Sequence, residues 1–474
     1  MTEQKIKFGT SGFRGVIGDD CTKESMQRIG IAFRKLVEAR AARAKIIVGY
    51  DNRFMGKQFA EWFCEAACSD TVKADLMTVA VPTPFIAYKA VIYDYGVIIT
   101  ASHNPYYYNG IKIILNGGRD ADDKFCDELT RLIETTPSGR GSALTELEGE
   151  FLPTLVSNTE DYINKVVSLM DATVLKKSGV KVLFNPMHGS GNDIMQRIFK
   201  KIGVNYDVIN ENADAFFGGT LPAPYPHNLK KMIKQVVDGG YSFGFAFDGD
   251  GDRVTFIDAD GAPFDCNYLS AVLYKYLIET KKQKGGFVKS ALASSLAVRL
   301  CKKYGFELTE TRVGFKYLGE ALGATDALIA AEPGGMALKS VSLLKDGIST
   351  AAMVIDMVAA MGKSIGALVA ETAMSVGFPS RCVEFAYPFA RYRREELVAK
   401  LRTVALPEFG RNIIRREDYP DGYKVLFEGD YWAAARVSGT EDVVRFYAEM
   451  KTEADCNKVL SQLENFYNLK ERQI

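Results

Sequence analysis

At 474 residues the chain is too long for one hydrophobic core, and three or four domains of about 100–150 residues each are expected. Lys plus Arg and Asp plus Glu both number 59, so the net charge is zero, which argues against a nucleic-acid partner bound through a global basic field. The 8 cysteines form no CxxC pair, the N-terminus has no apolar signal core, and no run approaches about 18 apolar residues. Free thiols, no membrane partner and a cytoplasmic location are therefore the expectation.

In chain order, the Gly-rich stretch GTSGFRG at 9–15 reads as a loop that presents Arg14. Short β-branched runs then alternate with helix-period segments. Ile46–Tyr50, Val97–Thr100 and Ile111–Leu115 read as strands, and Gln58–Ala67 and Asp122–Glu134 as helices. The polar stretch Thr135–Glu150 is the first candidate linker. The cadence restarts with strand Val180–Asn185, helix Asp193–Ile202 and strands Phe243–Phe247 and Val254–Ile257. A third cycle runs from a long helix near Asn267 to helices at Gly347–Met361 and after Ser364. The last part differs: strands Tyr423–Glu428, Tyr431–Val437 and Val443–Met450 are bunched between helices near Arg394–Val404 and after Thr452. The fold expected is α/β in four domains. Three similar mixed-sheet domains (1–150, 151–262, 263–376) precede a smaller α+β domain (377–474).

Three motifs carry chemistry. In TASHNPYYYNGIK, 100–112, a buried strand runs into a polar loop, where α/β sheets commonly place their sites. Ser102 is a candidate nucleophile, with His103 and Lys112 close in sequence; alone, the motif reads equally as a turn fixed by Pro105. In DGDGDR, Asp248, Asp250 and Asp252 on an extended stretch would project to one side. Three such carboxylates repel one another unless a cation sits between them, which suits Mg²⁺. An EF-hand is excluded, because its sixth and twelfth positions would be Arg253 and Ala259. Arg253 is placed for a phosphate or carboxylate. In RVSGTEDVVR, a Ser-Gly-Thr turn between Arg436 and Arg445 can clamp a phosphate, or can be a hairpin turn with surface arginines. No P-loop pattern is present.

TASHNP, then DGDGDR, then R-x-SGTE together resemble the α-D-phosphohexomutase superfamily, and the resemblance covers nearly the whole chain. It implies four domains around a central cleft, and a phosphorylated Ser102 that joins Asp248, Asp250 and Asp252 around Mg²⁺. Arg14 and Lys112 would lie near the transferred group, Lys112 as an acid/base candidate. Arg436, Ser438, Gly439 and Thr440, with Arg445 nearby, would form the phosphate clamp. The family's sugar loop, G-E-x-S-G, falls here on Ala331-Glu332-Pro333-Gly334-Gly335, with Lys345 downstream in KDGI. Aligned on the acid, Glu332 is kept and the Ser becomes Gly334; aligned on the Gly-Gly pair, the acid becomes Ala331 and the Ser Pro333. Either way the hydroxyl is missing.

The resemblance implies reversible exchange of hexose 1-phosphate and hexose 6-phosphate through a bisphosphate that turns around in the cleft. Glucose is the favoured sugar, with glucose 1,6-bisphosphate as activator; mannose or glucosamine phosphate, or a non-catalytic phosphosugar binder, are the alternatives. The only partner expected is the small phosphosugar, on a monomer or homodimer.

Overall fold

The computed structural model describes residues 6–9, 12–137, 151–403, 405–438 and 442–469. Four sheets account for its strands. The first runs in spatial order Phe13–Val16, Tyr108–Leu115, Tyr95–Ile99, Ala44–Tyr50, Val72–Met77 and Thr154–Val156, with Arg119–Asp120 added to Tyr108–Leu115. Its centre is parallel, and Tyr108–Leu115 pairs antiparallel with both neighbours. The expected break at 150 thus falls before the last strand of this sheet, and most of the expected linker lies outside the described residues.

The second sheet runs Pro263–Phe264, Val254–Asp258, Phe243–Phe247, Lys181–Asn185, Asn205–Val208, and the third Leu308–Thr311, Phe287–Ser290, Ile329–Glu332, Gly335–Leu338. Both are parallel within and antiparallel toward one edge. The fourth is wholly antiparallel: Arg381–Pro388, Val443–Met450, Trp432–Val437, Gly422–Phe427, Ile413–Tyr419. Helices Arg394–Leu401 and Glu453–Tyr467 cover it. Three mixed-sheet α/β domains and a smaller antiparallel α+β domain are therefore what the chain forms. Two segments of this domain depart from the sequence reading: 381–388 and 413–419 are the two edge strands of the sheet, and the first ends at Pro388, where proline costs no ladder bond.

Strand alternation divides the core. In the first sheet Ile46, Val48, Val97, Ile99 and Ile113 face a core shared with that domain's own helices. Ile47, Ile98 and Ile114 face the other way, into a core continuous with the second and third domains. The fourth domain has a core of its own, built on Tyr387, Val425, Phe446, Val459 and Leu463. No single described helix is long and apolar enough to cross a membrane. The apolar pair Gly347–Met361 and Ile365–Ser375 is bent by 79°, and the first of the two is buried along nearly its whole length. All eight cysteines are free.

Candidate active site

Ser102 follows strand Tyr95–Ile99 by three residues, at the carboxyl end of a parallel strand, and is 1% exposed. Its backbone is left-handed, with φ 51°, a conformation that costs an L-residue about 1–2 kcal/mol. Its Oγ donates to Asp248 Oδ2 at 2.8 Å, 146 residues away in sequence. His103 Nδ1 is 3.5 Å from the same oxygen, at the edge of hydrogen bonding. Burial, reinforced by Arg253 and Arg14, pulls His103 well below the usual imidazole range, so its ring is neutral.

Asp248, Asp250 and Asp252 are buried, and one carboxylate oxygen of each lies within 4.8 Å of the others. They do not sit on an extended stretch, as the spacing suggested. Strand Phe243–Phe247 must return as the antiparallel Val254–Asp258, and residues 248–253 make that reversal. Gly251, at φ 69°, accepts the tight turn, and its N–H donates to the Asp248 carbonyl at 3.1 Å. Convergence of the carboxylates comes from this curl, and Gly249 permits it: a Cβ there would stand 2.8 Å from the Ser102 carbonyl oxygen.

Lys112 Nζ donates to Asp250 Oδ2 at 2.7 Å and to Asp252 Oδ2 at 3.0 Å. Burial works against its charge, but the two carboxylates outweigh burial and hold its pKa above the usual value. Thr83 Oγ1 adds a bond to Asp250 Oδ2 at 2.6 Å. Burial, then Asp250 and Asp252, push Asp248 well above the carboxylate range. The Oδ1 atoms of Asp250 and Asp252 are buried with no hydrogen-bond partner. Orphaned hard oxygens on clustered carboxylates fit a small divalent cation such as Mg²⁺.

The other expected residues ring this cluster. Arg14 Nη1 donates to Asn104 Oδ1 at 2.7 Å, on the serine loop. Arg253 N donates to Asp248 Oδ1 at 3.1 Å, and its buried Nε, without a hydrogen-bond partner, stands in ion-pair range of Asp252 Oδ1 at 3.9 Å. Lys345 Nζ stands 3.5 Å from Glu332 Oε1 and 4.0 Å from Asp252 Oδ1, which ties the sugar-loop acid to the carboxylate cluster. Strands Ile329–Glu332 and Gly335–Leu338 pair Glu332 with Gly335, so Pro333 and Gly334 are the two-residue tip of a hairpin. The C-terminal group is apart: Arg436 donates to Asp421 Oδ2 at 2.6 Å, Arg445 pairs with Glu384, and Ser438 N donates to the Val443 carbonyl at 2.9 Å. Gly439 and Thr440 lie outside the described residues. Among the described residues no hydrogen bond or ion pair joins this group to the Ser102 cluster.

Three family models match in series: phosphoglucomutase/phosphomannomutase α/β/α domains I, II and III, over residues 5–140, 160–261 and 265–375. The chain belongs to the α-D-phosphohexomutases. It is 28% identical over 462 residues to the phosphoglucomutase/phosphomannomutase of Thermococcus kodakarensis, covering 96% of each. It is 28% identical over 471 residues to the phosphoglucosamine mutase of Clostridium perfringens, covering 95% of this chain and 99% of that one. A family member from Burkholderia thailandensis superposes with a TM-score of 0.81 at 22% identity over all of both chains. The N-acetylphosphoglucosamine mutase of Aspergillus fumigatus, solved with GlcNAc-6P and magnesium, superposes with a TM-score of 0.59 at 16% identity over 97% and 95% of the two chains.

Beside the motifs that mark this phosphohexomutase, the sequence reading passed over Asp51, Arg53, Thr83 and Thr100. Asp51-Asn52-Arg53 leaves strand Ala44–Tyr50, the parallel neighbour of the serine strand. The rule that picked out Ser102, polar residues just past the carboxyl end of a central strand, applies equally there.

Proposed function

We propose that this phosphohexomutase interconverts hexose 1- and 6-phosphates through phospho-Ser102, with an amino sugar phosphate as the substrate to test first. The observation that carries the reading is the 2.8 Å bond from Ser102 Oγ to Asp248 Oδ2, which places a buried hydroxyl on a carboxylate cluster in which two oxygens have no hydrogen-bond donor. Glucose, the sugar favoured by the sequence reading, has less support among the relatives than the amino sugar: beside a phosphoglucomutase/phosphomannomutase, several relatives matched over 89% or more of this chain are named phosphoglucosamine mutases.

Asp248, Asp250, Asp252 and the Ser102 oxygen would hold Mg²⁺, whose charge would offset that gathering on the transferred phosphoryl oxygens. The residues themselves do the rest. In each half-reaction the P–O bond to the donor oxygen breaks as one to the acceptor oxygen forms, the acceptor loses its hydroxyl proton and the departing oxygen gains one. Lys112, held as an ammonium by two carboxylates, is the acid in this arrangement and must give up an aspartate before it can act as a base. Arg14 and Arg253 add fixed positive charge, and Glu332 with Lys345 offers an acceptor and a donor to sugar hydroxyls. The Arg436–Arg445 clamp would hold the distal phosphate. Phosphoryl transfer leans on such positioning and charge more than on covalent chemistry.

The test is a coupled assay with Mg²⁺ and catalytic hexose bisphosphate on glucosamine, mannose and glucose 1-phosphates, with Ser102→Ala as control. Conversion of one sugar to its 6-phosphate, lost in Ser102→Ala, is expected. Conversion that survives Ser102→Ala, or none from protein phosphorylated at Ser102, sinks the reading.

A further inference from the structure

The serine loop is held by a network of which the motifs mark only Thr100, the first residue of TASHNP. Arg53 is 3% exposed and donates to four backbone carbonyls of this loop: from Nη2 to Ser102 and Asn104, both at 2.6 Å, and from Nη1 to Pro105 at 2.8 Å and Tyr108 at 3.0 Å. Its Nε stands 3.4 Å from Asp51 Oδ2. Thr100 Oγ1 donates to the same Asp51 Oδ2 at 2.5 Å, and accepts from the Ser102 N–H at 2.8 Å. Asp51 Oδ1 accepts from the Arg53 N–H at 3.0 Å, which fixes the start of the network to its own backbone. Two branches leave one buried carboxylate, and they end on the N–H and the C=O of the same residue, Ser102. The aromatic ring of Phe217, from the second domain, lies 5.0 Å from the Arg53 guanidinium and closes the far side.

We propose that Asp51, Arg53 and Thr100 are the positioning residues of the phosphoryl relay, holding Ser102 in its left-handed backbone so that Oγ stays on Asp248. The proposal rests on the function proposed above and adds to it the parts that aim the nucleophile. Ser102 is not a glycine, so its φ of 51° does not persist without outside support. Loop carbonyls facing one side also repel one another unless donors gather them, and a guanidinium fork serves four where a single ammonium cannot. The arrangement has a use: a serine that is phosphorylated and dephosphorylated in every cycle keeps one backbone geometry through both states, because nothing in the network touches Oγ.

The experiment is single-turnover phosphorylation of Ser102 by glucose 1,6-bisphosphate with Mg²⁺, quenched in time and read as the mass gain of one phosphoryl group on the whole chain. Arg53→Lys and the isosteric Thr100→Val are compared with the unaltered chain. Arg28→Lys serves as control: Arg28 is also buried in the first domain and donates to the Ile133 carbonyl at 3.0 Å, outside the loop. Misplacing a nucleophile by about 1 Å costs on the order of 100-fold in rate. Thr100→Val and Arg53→Lys are expected to slow phosphorylation by about 10- to 100-fold, while half-saturating bisphosphate moves less than about threefold and Arg28→Lys keeps the unaltered rate. If Arg53→Lys does not fold, Thr100→Val carries the test. Unaltered rates in the folded variants, or equal slowing in Arg28→Lys, overturn the inference and leave the proposed function standing. An unaltered chain that never gains a phosphoryl group removes the function, and the inference with it.

Discussion

Glu449 decides how firmly the fourth domain is seated, and replacing it by Gln is the perturbation whose size the structure fixes best. The residue is fully buried on strand Val443–Met450 and has no ion pair among the described residues. Its Oε2 accepts from the Ser295 N–H and from Trp432 Nε1, both at 2.7 Å, and its Oε1 from the hydroxyls of Ser294 and Ser380. Ser294 and Ser295 belong to the third domain, just before helix Leu296–Tyr304, so one carboxylate bonds two domains. In Glu449→Gln the amide oxygen must stay with the two N–H donors, which cannot reverse. The NH₂ must then face the two hydroxyls, which can rotate to accept. All four charge-assisted bonds become neutral, at about 1–1.5 kcal/mol each, and relief of the cost of burying the charge returns part of that, for a net loss of about 2–3 kcal/mol. The chain has 2 Trp, and one of them is the reporter: in a Trp62→Phe background, the fluorescence of Trp432 during urea unfolding follows this junction alone. Because the same strand carries Arg445 and pairs with the one carrying Arg436, the KM for phosphosugar should rise more than kcat falls. A change in unfolding free energy under about 0.5 kcal/mol would refute the reasoning, because the N–H donors would then have found equal acceptors elsewhere.

Three further outcomes are expected. Asp250→Asn removes charge where an unpartnered buried oxygen waits, and calorimetry should show Mg²⁺ binding at least about tenfold weaker; unchanged affinity would place the ion elsewhere. Gly334→Ser should fold as well as the unaltered chain, because an added Cβ meets only Glu332 Oε1, at 3.8 Å, and its hydroxyl beside Glu332 should lower the KM for sugar phosphate; a raised KM would mean the hairpin tip does not face the sugar. Burial, reinforced by Lys289, pulls Lys424 down to about 8, so between about pH 8 and 10 the unfolded chain binds the extra proton and stability should rise with pH. Lys424→Met should flatten that rise in denaturation curves taken across this window, and an unaltered slope would contradict the assignment.

The parts of the site that the sequence displayed are those whose chemistry is visible without geometry. Three carboxylates in five residues announce a cation whether the backbone is extended or curled, so the ligand set survived a wrong account of its conformation. The curl depends on Gly251 at positive φ and on the antiparallel return of the strand, neither of which leaves a periodic trace. Arg53 shows the opposite case. Its partners are carbonyl oxygens 49 to 55 residues away, and a carbonyl has no letter in a sequence. Long strands and helices such as Phe243–Phe247, Gly347–Met361 and Val443–Met450 were legible from apolar runs. Phe13–Val16, read as part of a Gly-rich loop, and the two-residue Arg119–Asp120 and Pro263–Phe264 are too short or too Gly-rich for either period to register. The first of these is set by contact instead: it lies so close on Tyr108–Leu115 that a Cβ on Gly110 would stand 2.1 Å from the Phe13 carbonyl oxygen.

The distribution of the core assigns different mechanical roles to the two halves of the site. Ser102, Lys112 and the three aspartates come from the first two domains, and Glu332 and Lys345 from the third, all of which share one apolar core. Separating any of these would expose that core to water, so the residues proposed as nucleophile, cation ligands and sugar contact form one rigid unit. The fourth domain, which carries Arg436 and Arg445, meets that unit differently. Among the described residues the apolar part of the junction is small, the cluster of Leu292, Trp432 and Ala434 and the stacked rings of Phe378 and Tyr431, and polar groups lie beside it: Glu449 with its four donors, Glu310 shared between Lys289 at 2.7 Å and Lys424 at 3.0 Å, and Arg299 on Asp430 at 2.5 Å. Water can satisfy such groups when they part, so this junction opens at lower cost than the apolar one. The proposed clamp, which would grip either end of a turning bisphosphate, is better mounted on the separable domain, with the proposed reacting atoms on the rigid one. That division is why weakening Glu449 should lower an unfolding transition seen by Trp432 while leaving the transition of the first three domains where it was.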